Sequence, residues 1–205
     1  MKVLLFGEGN TDVTTGATRH RGALAILLAR LLEAGGKQCD VSGARLPRLQ
    51  RGSGYPRKVD LAIGQAQAKG ADAVAVVVDR DGHAHRLALL REGREAAQQQ
   101  AGAPHAALAW RTAVGVAVEM LEAWLIADTA ALAELGHVPG AMPYPESIPN
   151  PKQRLTALLD EVAADAATAY DRIAHAANIS EIERRCPAFR EFAREVRSLL
   201  LQGDQ

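Results

Sequence analysis

The sequence predicts an α/β protein in which a mostly parallel sheet is flanked by helices and followed by a helical C-terminal appendage. Three observations carry that prediction. Up to residue 135, apolar runs of strand length alternate with stretches of helical spacing, the pattern of βα units feeding a parallel sheet. One run, Asp72 to Asp79 (DAVAVVVD), is almost continuously apolar, as a strand covered on both faces must be. Proline and glycine then concentrate from Gly136 to Pro151 (GHVPGAMPYPESIPNP), and beyond them only helical patterns remain. The expected organisation is an α/β domain over 1–135 and, over 136–205, a proline-rich connection with a helical appendage packed on the same core.

Taken in order, Lys2 to Phe6 reads as a buried strand ending at Gly7. Arg21 to Ala34, which contains GALAILLARLLEA, has helical spacing up to the Gly35-Gly36 stop. Gln38 to Ala44 is a weaker strand. Pro56 to Lys69 reads as a helix with proline in its first turn and Gly70 past its end. Asp72 to Asp79 belongs near the centre of the sheet, and His83 to Gln100 is a charged amphipathic helix. Ala106 to Trp110 and Thr112 to Val118 supply one or two further strands, and Glu119 to Ala127 returns to helical spacing. Lys152 to Val162 and Ala166 to Ala176 read as helices, and Ser180-Glu181-Ile182-Glu183 has the form of a capping box for another.

Composition narrows the function classes. Of 205 residues, 48% are hydrophobic and 23% charged, an ordinary globular balance. Lysine plus arginine equal aspartate plus glutamate at 24 each, so no global field attracts nucleic acid or an anionic membrane, and any polyanion has to be met by a local patch. Two cysteines, Cys39 and Cys186, make neither a disulfide scaffold nor a ligand cluster. No apolar stretch approaches the ~20 residues of a membrane span, and the apolar run at the N-terminus is too short for a signal peptide. The expectation is a soluble, cytoplasmic protein with no membrane partner.

The stretch LLFGEGNTD (Leu4 to Asp12) runs an apolar strand into a glycine-containing loop, the usual setting of a nucleotide phosphate. The third glycine of a G-x-G-x-x-G fingerprint is here Asp12, however, and no G-K-[ST] occurs in the chain. The Glu8 carboxylate would repel a phosphate unless a divalent cation lay between them. In VVVDRDG, Asp79 and Asp81 are two apart, which in extended backbone points both side chains the same way, and Gly82 lets the chain turn. Ligands of parallel sheets bind beyond the carboxyl ends of the strands, where Glu8 and Asp79 fall. Three carboxylates at one edge need a counter-charge, and hard oxygen ligands suit Mg²⁺ or Mn²⁺. Metal-assisted phosphoryl transfer is the chemistry such a site performs.

Glu119, at a strand end, and Glu122, one helical turn on, are candidates for a second ion site, although a solvated helix face suits them equally. Asp79 and Asp81 have the alternative of capping the helix that follows. Their D-x-D also occurs in haloacid-dehalogenase-type phosphatases, but there it belongs on the first strand, a place held here by Glu8. His20, His83 and His85 have no zinc-site spacing and read as exposed polar residues. Arg45, Arg48, Arg51, Arg57 and Lys58 lie in one segment, RLPRLQRGSGYPRK, that has no acid and includes Tyr55. A nucleic-acid-binding loop that holds phosphates and stacks a base has this composition, as does a solvated loop.

The order strand-Glu8-Gly9, α/β interval, strand-Asp79-Arg80-Asp81 resembles the Toprim pattern of topoisomerases, primases and overcoming-lysogenization-defect nucleases. A finer resemblance is to the small stand-alone Toprim-like family called domain of unknown function 4276. It is carried by GEGNTD, VVVDRDG, VAVEMLEAWLIAD (Val116 to Asp128), NPKQRL (Asn150 to Leu155) and RCPAFREF (Arg185 to Phe192). The resemblance implies a Toprim-like, Rossmann-like fold. Glu8 would then handle a proton or share the metal, Asp79 and Asp81 would be ligands, Asp12 a second acid near the metal, and Lys152 the lysine that some nuclease members offer to the transition state. The implied activity is Mg²⁺- or Mn²⁺-dependent phosphodiester hydrolysis, a nuclease acting in defence against phage or mobile DNA. Two other readings stand beside it: a non-catalytic module that binds a nucleotide or docks on a partner such as an ATPase, and a small-molecule phosphatase.

Overall fold

Val3 to Phe6 are all buried, which requires an inner strand with both faces covered. In the computed structural model, which describes residues 1–8, 22–49, 54–100, 102–136, 143–160 and 166–202, β1 (Lys2–Gly7) lies between β2 (Asp40–Arg45) and β3 (Ala73–Asp79). β3 pairs in turn with β4 (Thr112–Ala117), so the sheet has the order β2-β1-β3-β4 and every pairing is parallel.

The two-residue period of the strands divides the core into two layers. Leu4, Phe6, Val74, Val76, Val78, Val114 and Val116 face α2 (Tyr55–Ala68), α3 (Arg86–Gln99) and the short α4 (Ala106–Ala109). Val3, Leu5, Ala73, Ala75, Val77, Ala113 and Ala117 face α1 (Ala23–Ala34) and the elements after β4. Those elements are α5 (Glu122–Ile126), α6 (Thr129–Ala133), a 3-10 turn (Pro145–Ser147), α7 (Pro151–Asp160), α8 (Ala166–Ala176), α9 (Ile179–Arg185) and α10 (Pro187–Gln202). The C-terminal helices thus close one face of the sheet. Trp124 of α5 meets Phe189 edge-on at 5.0 Å and stacks on Phe192 at 6.0 Å, both from α10.

Two glycines set how closely the layers approach. A Cβ on Gly115 in β4 would lie 2.6 Å from the Phe192 ring, and one on Gly93 in α3 would lie 2.5 Å from the Pro56 carbonyl oxygen in α2. The second contact seats the start of α2 directly on α3.

Several local expectations need correction. Ala106–Ala109 is helical, not a strand: its alanines favour helix, and Thr112 Oγ1 donates to the Leu108 carbonyl at 2.9 Å to finish the turn. The cap of α9 is Asn178, whose side chain accepts from Ser180 N at 3.0 Å, so Ser180 sits inside the helix and the capping box does not form. His83 to His85 lie in turns before α3, which begins at Arg86. Among the described residues no helix is long and apolar enough to cross a membrane.

The topology locates the ligand edge. From β1 the chain reaches β2 on one side through α1, then returns past β1 to β3 through α2 on the opposite face. Strand order therefore reverses between β1 and β3. The crevice beyond the carboxyl ends at such a switch point is where open α/β sheets bind ligands.

Candidate functional site

Glu8 is the first residue beyond β1 and Asp79 the last of β3, so they flank that crevice. The side chain of Glu8 spans it. Its Oε2 accepts from the backbone N–H of Asp79 at 3.3 Å, and its Oε1 accepts from the Tyr55 hydroxyl at 2.9 Å. Burial, and then the hydrogen bond and charge of Glu8, push the Tyr55 phenol up to about 12.

Beyond β3 the chain departs from the extended geometry that would align Asp79 with Asp81. Asp81 has φ 44° and Gly82 φ 74°, a left-handed pair that glycine and aspartate tolerate best. His83 N–H closes the turn on the Arg80 carbonyl at 2.9 Å. The turn delivers Arg86 back to the strand end. Its Nη1 donates to the Asp79 carbonyl, donates to Asp81 Oδ2 at 2.9 Å, and lies 3.7 Å from Glu8 Oε2. Arg86 is only 6% exposed, with its Cζ 4.9 Å from the centre of the Tyr55 ring. Lys58 Nζ also lies over that ring, at 4.5 Å, so Tyr55 contacts Glu8 and two cations. No aspartate caps α3, because its N-cap is His85. A cavity of about 590 Å³ opens beside the cluster, lined by Tyr55, Gly82, His83, His85, Arg86 and Leu89.

The basic segment lies along the same edge. Arg45 ends β2 in register with Gly7, and Leu46 N–H continues the ladder to the Gly7 carbonyl at 2.9 Å, so the segment leaves the sheet next to Glu8. Arg45 and Arg48 are exposed. Arg57, also exposed, is paired with Asp60 at 2.6 Å, and Asp60 is held in turn by His105 at 3.0 Å. Asp12, His20 and Arg51 lie outside the described residues.

Glu119 and Glu122 do not assemble a second site. β4 ends at Ala117, and Glu119, at φ 61°, pairs with Arg80 at 2.8 Å. Glu122 turns into the core, 5% exposed, and accepts from the Tyr170 hydroxyl at 3.1 Å. The cause is helical phase: Ala123, Trp124 and Leu125 are all buried around it, so this short helix offers no solvated face there. Lys152 is exposed on α7, which packs against α5 and α8, neither of which carries a residue of the Glu8 cluster.

Among the described residues no group of three His, Cys, Asp or Glu converges closely enough to hold a metal ion. The carboxylates instead gather on a cation that the protein supplies: Glu8 and Asp81 share Arg86 Nη1. That nitrogen stands in for a positive ion between hard oxygen donors. Carboxylate oxygens are the donors that Mg²⁺ or Mn²⁺ takes, but as placed here they converge on the Arg86 guanidinium and not on a metal-sized cage. The sequence offers no reading of Arg86 as a site residue, and it offers Tyr55 only as a base-stacking member of the basic segment. The only signal for Arg86 is its position five residues after Asp81 across the Gly82 turn.

A family model described as domain of unknown function (DUF4276) matches residues 19–197. No curated protein and no solved structure gives a significant match.

Proposed function

Because the chain belongs to the DUF4276 family, whose description assigns no activity, we propose a function from the site itself: divalent-metal-dependent hydrolysis of phosphodiester bonds in nucleic acid, of the Toprim type, in defence against phage or mobile DNA. The observation that carries this reading is the hydrogen bond from Asp79 N–H to Glu8 Oε2 across the switch point of a parallel sheet. It supports Glu8 and the Asp79-Asp81 turn as one functional unit.

Glu8, Asp79 and Asp81 would hold the ion, which when bound polarises a phosphoryl oxygen and makes water a stronger acid. Tyr55 keeps the Glu8 carboxylate oriented to take a proton at Oε2. Arg86 fixes the turn that carries Asp81, and Arg45, Arg48 and Lys58 provide local positive charge for a polyanion. The test is incubation of labelled single-stranded, duplex and supercoiled nucleic acid with Mg²⁺ or Mn²⁺. Cleavage that an Asp79→Asn/Asp81→Asn variant lacks supports the reading; no cleavage by either protein contradicts it.

A second reading is favoured by Arg86. A buried guanidinium already neutralises part of the cluster, which suits a module that binds a nucleotide or a protein partner without cleaving it. Nucleotide binding that is independent of divalent ions, without turnover, would select this reading.

A further inference from the structure

We propose that β4 is a strand-accepting edge, that an ion-pair clasp between α3 and α10 holds it shut, and that the strand it excludes is β4 of a second copy of this chain. The inference is independent of the chemistry at the Glu8 cluster.

The edge follows from the sheet. β4 ends the order β2-β1-β3-β4, and among the described residues no strand lies beyond it. The Arg111 carbonyl accepts from Val74 N–H and the Ala117 carbonyl from Arg80 N–H, so alternate residues from 111 to 117 turn their main chain toward β3. Thr112, Val114 and Val116 therefore turn theirs outward, yet all three residues are buried. Main-chain groups taken from water without a ladder partner are costly, and a row of them is a template for another strand. Arg94 Nη1 donates to the Thr112 carbonyl at 3.2 Å. Val114 and Val116 line a cavity of about 130 Å³ between Leu87 of α3 and Phe192 of α10, which has room for water but not for a strand.

Charge keeps that cavity narrow. α3 and α10 lie on opposite faces of the sheet, and their side chains meet past its edge. Arg91 pairs with Glu191 at 2.8 Å and with Glu195 at 3.2 Å, and Arg94 pairs with Glu195. The Arg91 and Glu191 side chains are 35% and 45% exposed, so these pairs themselves form the outer surface that closes the edge.

Pattern and charge single out a second copy. An antiparallel pairing centred on Val114 sets Thr112 opposite Val116 of the second copy, and each opposed pair then exchanges both of its main-chain bonds. The same pairing brings α3 beside its own copy on one face and α10 beside its own on the other. Arg91 and Arg94 would then face arginines, and Glu191 and Glu195 would face glutamates. The four charges that bridge the edge within one chain thus also repel a second copy.

The experiment is sedimentation equilibrium, with thermal unfolding, of three full-length proteins: the native chain, a neutral-clasp variant (Arg91→Gln/Arg94→Gln/Glu191→Gln/Glu195→Gln) and that variant with Val114→Pro. The proline removes one outward N–H and leaves the ladder to β3 intact. The native chain is monomeric, the neutral-clasp variant dimerises on the order of tenfold or more tightly than native, and Val114→Pro returns it to the monomer. A native chain whose own dimer Val114→Pro abolishes, a neutral-clasp variant that folds cooperatively and stays monomeric, or a variant dimer that survives Val114→Pro overturns the inference. Should the fourfold variant not unfold cooperatively, Arg91→Gln/Glu191→Gln, which leaves Arg94 on Thr112 and Glu195, decides in its place by the same outcomes.

Discussion

The hydroxyl of Tyr55 donates to Glu8 Oε1 at 2.9 Å, tying the first residue of α2 to the first residue beyond β1. A carboxylate at an open sheet edge is thereby given one orientation. Burial and Glu8 also push the Tyr55 phenol from 10.0 up to about 12. The folded state holds this proton more tightly than the unfolded chain. The associated stability is complete below about pH 10 and is lost as pH rises toward 12. Phenolate absorbance followed against pH should contain a Tyr55 component near the top of that range. The signal should be missing in Tyr55→Phe and shifted part of the way down in Glu8→Gln, where burial remains but the charge does not.

The basic segment beside β2 gives a separable prediction. Arg48 is exposed, whereas Arg57 is already engaged by Asp60. Arg48→Ala should weaken nucleic-acid binding and lower its salt slope by about one, the signature of a lost phosphate contact. Arg57→Ala should lower the slope less. Neither change should alter hydrolysis of a small phosphate ester if the natural substrate is a polymer. Equal losses on both substrates would favour the small-molecule phosphatase.

How far the sequence discloses this architecture depends on the range of the interactions. β1 and β3 are legible because runs such as Val74 to Val78 bury both faces, and the placement of Glu8 and Asp79 at strand ends follows from them. Asp81 was expected to share a strand face with Asp79, but the left-handed turn at Asp81-Gly82 sends it to Arg86. Neither Arg86 nor the bond of Tyr55 to Glu8 is legible in the sequence, because both depend on how α2 and α3 meet. The Gly93–Pro56 contact that decides this joins residues 37 positions apart without any local signature. Glu122 misled for the opposite reason: a carboxylate one turn after a strand resembles a ligand until its helix proves to be buried on all sides.

Gly93→Ala tests the coupling between packing and site. A methyl group there meets the Pro56 backbone at 2.5 Å, and α2 must move to admit it. Thermal unfolding should show a loss of about 1–3 kcal/mol, the usual cost of overpacking. The high Tyr55 titration should move down as Tyr55 draws away from Glu8. A destabilised protein with an unchanged Tyr55 would show that the site does not depend on this contact.

Glu122 and Tyr170 form a structural pair in the core and should behave as one. Tyr170→Phe removes a hydrogen bond to a buried carboxylate and should cost about 1.5–3 kcal/mol in denaturant unfolding. Divalent-ion affinity measured by calorimetry should be unchanged in that variant. A fall in affinity would return Glu122 to the set of candidate ligands.

The most direct test of the central claim is cleavage of supercoiled and single-stranded DNA, and of RNA, with Mn²⁺ by the native protein and by Glu8→Gln matched for thermal stability. Glu8 is the residue on which β1, Tyr55, the Asp79 N–H and Arg86 converge. The account predicts metal-dependent cleavage by the native protein and its loss, by two or more orders of magnitude, in Glu8→Gln. Cleavage that survives in Glu8→Gln, or native protein that cleaves none of these substrates with either Mg²⁺ or Mn²⁺, would contradict it.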